Sequence, residues 1–83
     1  MAPEVLDCRG LRCPLPVLKL EKRAEQVPPG TALTLLATDP MAKIDVPLYC
    51  RQHGHACEAS SAGGVLRFDI VTQTPAAAAP PRL

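Results

Sequence analysis

Ten prolines and five glycines cut this chain of 83 residues into short segments, and that punctuation restricts it to short helices and strands. Pro14 and Pro16 sit where a helix can begin, because backbone N–H groups of a first turn have no intrahelical acceptor. Pro28, Pro29 and Gly30 then stop it, so the spacing predicts a helix over 14–26 with Pro14 as its first residue. Val17, Leu20 and Ala24 within it and Val27 just past its end recur at three- and four-residue spacing and form one apolar face. Lys19, Glu21, Lys22, Arg23 and Glu25 supply the wet side.

Residues 31–38 (TALTLLAT) are β-prone and largely apolar, which predicts a central strand. Asp39-Pro40 is a helix-start signature, and a second start signal sits at Asp45 before Val46 and Pro47. The expected arrangement is one turn after Asp39, then a helix over 46–53 that Gly54 stops, with Pro47 in its first turn. Short strands are expected at 5–8, 55–60 and 65–72, the last two flanking a hairpin signal at Ser61-Ala62-Gly63-Gly64. Arg67 and Asp69 alternate outward on the last strand. The order β-α-β-α-β-β describes an α+β fold, with two helices on one face of a four-stranded sheet. Strand order stays open at this point.

A chain of this size buries only about 60% of its unfolded surface, so it holds one core. Tyr49 and Phe68 are its only aromatics, so that core must be built from Leu, Val, Ile and Ala. One domain is expected over 4–73, followed by a flexible Ala/Pro-rich tail over 74–83. Formal net charge is +1, from nine basic and eight acidic residues. That balance argues against direct nucleic-acid binding and against a polybasic membrane contact. No segment approaches the roughly 18 apolar residues of a membrane span. Residues 1–10 lack the basic and apolar regions of a secretory signal. The expected compartment is the cytoplasm, where thiols stay reduced. Cys8, Cys13, Cys50 and Cys57 then read as free thiols, metal ligands or catalytic groups before disulfides.

Cys13 stands out because it falls immediately before the first predicted helix. Pro14 and Pro16 fix the start of that helix and remove two donors from its terminus, leaving the Leu15 N–H to meet the sulfur. The helix N-terminus carries roughly half a positive charge, and Arg9 and Arg12 lie in the preceding turn. Such surroundings predict a solvent-facing thiolate of lowered pKa, a good nucleophile and a good acceptor of sulfane sulfur. Pro16 occupies the position a Cys-x-x-Cys redox pair would need, so no adjacent thiol resolves a disulfide. Cys8, five residues upstream, is a remote candidate resolver. The motif alone leaves open a plainer reading, in which Cys13 is a small buried hydrophobe.

Asp7-x-Arg9-Gly10-x-x-Cys13-Pro14-x-Pro16 resembles the signature of the TusA/SirA/YedF-type sulfur carrier proteins. Pro29-Gly30, Asp39-Pro40, Asp45-x-Pro47 and Gly54-His55 extend the likeness over roughly 5–72. The resemblance implies a two-layer α/β sandwich with a mixed sheet. It also implies that Cys13 accepts sulfur as a persulfide from a cysteine desulfurase or a rhodanese-like protein and relays it to an acceptor protein. Acceptors in such a family lie in tRNA thiolation, molybdenum cofactor synthesis and sulfur oxidation. Leu15 between the prolines and the Ala/Pro tail are this chain's departures.

Leu15 falls opposite the apolar helix face and is a candidate docking contact; Arg9 and Arg12 are candidate anion or partner contacts. Asp7 reads as structural, bonding turn amides. Cys50 and Cys57 read as core. Cys8-x₄-Cys13 reaches the spacing of a structural zinc pair but Cys50-x₆-Cys57 does not, so no metal and no other cofactor is expected. Two alternatives remain: a non-catalytic interaction module of the same fold, and a thiol redox protein using Cys8 and Cys13.

Overall fold

The computed structural model describes residues 3–73; the expected tail over 74–83 lies outside them. Six elements follow in the order β1 (Glu4–Cys8), α1 (Leu15–Gln26), β2 (Ala32–Ala37), α2 (Ala42–His53), β3 (Ala56–Ala62) and β4 (Val65–Val71). The strands form one sheet in the order β1-β2-β4-β3. β1 and β2 are parallel, and the β2–β4 and β4–β3 pairs are antiparallel. This is the expected two-layer arrangement of two helices on a mixed sheet, and it settles the strand order.

The period of two along β2 divides its side chains between the faces. Leu33, Leu35 and Ala37 are buried with Cys8 of β1 and with Phe68 and Ile70 of β4. Leu20 from α1 and Val46, Tyr49 and Cys50 from α2 close that core. It is aliphatic apart from the chain's two aromatic rings, both of which it contains. On α1 the buried line is Pro16 and Leu20, with Val17 and Ala24 only half-buried beside it and the C-cap Val27 half-buried beyond it. On β4, Arg67 and Asp69 point to the opposite face and pair with each other, as their alternation predicts.

Two local expectations need correction. The second helix is continuous from Ala42, not from Val46, so Pro47 lies inside it rather than in its first turn. Asp39 begins the approach: its carbonyl accepts the Ala42 N–H at 3.0 Å and its Oδ1 accepts the Met41 N–H at 3.0 Å. Tight bonds from Lys43 to Pro40 and from Ile44 to Met41 carry the turn straight into the helix, so the two start signals serve one element. Gly54, at φ +75, ends it as expected. The hairpin turn is shorter than the expected four residues. Ala62 pairs with Val65, and Gly63 and Gly64 alone make the turn, both at positive φ. Two such residues suit the twist of a two-residue hairpin.

The parallel β1–β2 pair is what builds the site. Its register runs from Glu4 opposite Leu33 to Cys8 opposite Ala37, so both strands end at the same edge of the molecule. The loop after β1 and the loop after β2 therefore emerge side by side, at the carboxyl ends of the strands.

Candidate functional site

The two loops are tied together by backbone donors. Gly10, at φ +82, turns the chain so that its N–H reaches Thr38 Oγ1 at 2.9 Å. Cys13 donates its N–H to Asp39 Oδ2 at 2.7 Å. Asp39 thus bridges the two loops, one carboxylate oxygen on Cys13 and the other on Met41 at the approach to α2. Two amide donors hold its carboxyl below the ordinary carboxylate range, with Arg12 adding to the effect.

Cys13 itself is partly buried, and its Sγ is hydrogen-bonded to Asp45 Oδ2 in the first turn of α2. The expected low-pKa thiolate is therefore not what the structure holds. The thiol is pushed up to about 11, first by its bond to the Asp45 carboxylate, then by burial and by the charges of Asp45 and Asp39. Two carboxylates act on the sulfur, Asp45 from the first turn of α2 and Asp39 from the loop before it, and both disfavour the thiolate.

The remaining motif residues fall around this contact in distinct ways. Arg9 does not serve the sulfur: its guanidinium makes two bonds of 2.8 Å to Asp7, and its N–H also reaches Asp7. That pair holds the Asp7 carboxyl down at about 2. Asp7 is thus the structural turn residue it was expected to be. The Arg12 carbonyl accepts the Leu15 N–H at 2.8 Å, closing a turn across Cys13 and Pro14, so that amide is not free for the sulfur. Pro14 is consequently the N-cap, and the helix starts one residue later than expected, at Leu15. Pro16 lies in the first turn and is fully buried.

The other three cysteines are placed differently. Cys8 and Cys50 are in the core, and Cys57 is half-buried against Cys50. Burial raises the pKa of all three. Cys8 has no exposed surface, so it is not an accessible resolving thiol. Among the described residues, no group of three or more His, Cys, Asp or Glu side chains could hold a metal ion.

Exposed apolar side chains follow Cys13 on α1 and flank Asp45 along α2 in the chain. Leu15 and Leu18 share one side of α1 and are 46% and 49% exposed. Met41, the N-cap of α2, and Ile44 and Leu48 within that helix are all exposed. A cleft of about 440 Å³ borders the site, lined by Gly10, Leu11, Arg12, Thr38, Asp39 and Pro40.

Asp39 and Asp45 carry only the marks of helix starts in the sequence, and nothing local points to them as site residues. They lie 26 and 32 residues beyond Cys13. Only the parallel pairing of β1 with β2 brings them to it.

The family model described as sulfurtransferase TusA matches residues 4–71. A Neisseria meningitidis protein described as a sulfur carrier is 46% identical over 74 residues, covering 88% of this chain and 97% of that protein. The sulfur carrier protein TusA of Pseudomonas aeruginosa is 41% identical over 51 residues, covering 61% of this chain and 65% of that protein. The crystal structure of a SirA-like protein from Desulfitobacterium hafniense superposes with a TM-score of 0.76 at 22% identity. It covers 84% of this chain and 97% of that one, and it carries the same fold.

Proposed function

The chain belongs to the TusA family of sulfur carriers, and from that premise we propose that Cys13 bears the cargo as a persulfide and passes it between proteins. One observation carries the assignment to this thiol. Cys13 is partly exposed between two loops at the start of a helix, whereas Cys8 and Cys50 are sealed in the core and Cys57 packs against Cys50. In loading, the Cys13 sulfur attacks the outer sulfur of a donor persulfide. The donor's S–S bond breaks, the donor leaves as a thiolate, and Cys13 gains one sulfur. Delivery is the same exchange with roles reversed, so neither step needs an oxidant or a reductant.

The roles of the neighbouring residues follow from their contacts. Gly10 and Asp39 fix the loop, Pro14 and Pro16 fix the start of α1, and Arg12 closes the turn across Cys13. The exposed Leu15, Leu18, Met41, Ile44 and Leu48 offer an apolar surface that a partner protein can cover. A cysteine desulfurase or a rhodanese-like protein is the proposed donor. Acceptors in tRNA thiolation, molybdenum cofactor synthesis or sulfur oxidation fit the same chemistry. Four free cysteines suit the reducing cytoplasm, and among the described residues no helix is long and apolar enough to cross a membrane.

The test is transfer of label from ³⁵S-cysteine through a cysteine desulfurase. Wild type should acquire reductant-labile label and Cys13→Ser should acquire none. Equal labelling of the two proteins rejects the assignment.

A further inference from the structure

The Sγ–Asp45 bond raises a question that sulfur carriage alone does not answer: why a carrier thiol should face a carboxylate. Among the described residues the ion pairs are Arg9–Asp7, Arg23–Glu4 and Arg67–Asp69, and neither Asp45 nor Asp39 belongs to one. Arg12, the cation of the same turn, acts on Asp39 rather than on the sulfur. The carboxylate of Asp45 therefore meets Cys13 with its charge uncompensated by an ion pair.

We propose that Asp45 biases the direction of sulfur flow, holding unloaded Cys13 as a thiol and disfavouring its anionic persulfide, so that the carrier releases sulfur readily. The proposal rests on the persulfide reading of Cys13. A thiol has a proton to donate to Asp45; a persulfide anion has none and meets like charge from Asp45 and Asp39. Loading thus exchanges a favourable hydrogen bond for repulsion, and unloading restores the bond. In unloading, an acceptor thiolate attacks the outer sulfur of the Cys13 persulfide. The bond between that sulfur and Sγ breaks. Sγ leaves with the electron pair, takes up and keeps the proton the acceptor thiol released, and again donates a hydrogen bond to Asp45. Atoms and electrons balance without a further reagent. Asp45 touches the reacting sulfur in the resting state, and it acts on the equilibrium through charge.

Two readouts separate this role from a merely structural one. The first is alkylation of Cys13 by iodoacetamide in the free, unloaded protein, followed by peptide mass spectrometry. Asp45→Asn keeps the side chain's shape and removes its charge. It should speed alkylation at pH 7.5 by about tenfold, the gain in thiolate outweighing its weaker nucleophilicity. The second is the equilibrium between the protein and glutathione persulfide. Asp45→Asn should raise the loaded fraction relative to wild type at the same glutathione ratio. Asp45→Ala, which removes the acceptor as well as the charge, should move both readouts the same way.

Loading in both proteins with an equal or lower loaded fraction in Asp45→Asn overturns the proposal while leaving sulfur carriage intact. An unchanged alkylation rate in both variants also overturns it. If neither wild type nor variant loads, although alkylation still differs, the persulfide reading falls and the proposal falls with it.

Discussion

Cys13 and Asp45 are hydrogen-bonded through Sγ and Oδ2 although 32 residues separate them in the chain. The contact exists because a parallel strand pair lays the loop after β1 beside the loop that leads into α2. It pushes the pKa of the proposed sulfur-bearing thiol upward.

That state has a pH signature. The Cys13 thiol moves from its ordinary value of 9.0 up to about 11. A group whose pKa is raised on folding contributes stability that is fully present below the unfolded value and lost as pH rises through the folded one. Urea midpoints should therefore fall between pH 9.0 and about 11. The fall should be shallower in Asp45→Asn. Alkylation of wild-type Cys13 should keep accelerating across the same window rather than level off near pH 9.

Asp39 holds the two loops together by accepting the Cys13 and Met41 N–H groups. Asp39→Ala leaves both donors without that acceptor and should lower the melting temperature by a few degrees, as loss of a capping side chain does. Asp39→Asn retains an acceptor and should recover part of the loss. Because the Asp39 carboxyl is held below its ordinary value of 3.8, its contribution is present above that pH and is lost on further acidification. The difference between wild type and Asp39→Ala in urea should accordingly shrink as pH falls through that range.

Gly10 adopts φ +82, and no atom lies within 4 Å of where a Cβ would stand. Gly10→Ala is therefore a conformational change rather than a clash. It should cost about 1–2 kcal/mol in chemical denaturation. Gly10→Asn should cost less, since Asn tolerates the left-handed region better.

Ile44 is 60% exposed beside Asp45. A charge placed there should leave stability within about 0.5 kcal/mol of wild type, as for most surface changes. Ile44→Glu should slow sulfur uptake from a protein donor at least several-fold. Uptake from glutathione persulfide should change far less. Equal loss with both donors would remove Ile44 from the docking surface.

Much of the fold was legible because local chemistry and global structure agree. The prolines at 28 and 29, the glycines at 30 and 54, and the alternation around Phe68 marked element types and most ends within one or two residues. The continuous second helix was not legible, because Asp39 and Asp45 both carry the marks of a helix start and only one helix follows. The site was half legible. Cys13 and its prolines lie together in the sequence, so the chemistry of a helix-start thiol could be read directly. Its carboxylate neighbours arrive through strand pairing, which local spacing does not encode. They reversed the expected electrostatics of the sulfur, and of the two arginines expected to help it, Arg9 pairs with Asp7 and Arg12 acts on Asp39.

The central claim is that Cys13 carries sulfur, and intact-mass spectrometry of the protein incubated with a cysteine desulfurase and cysteine tests it most directly. The expected spectrum shows wild type heavier by one sulfur atom, the added mass removed by dithiothreitol and absent from Cys13→Ser. Wild type at unchanged mass, or an adduct of equal yield on Cys13→Ser, would contradict it.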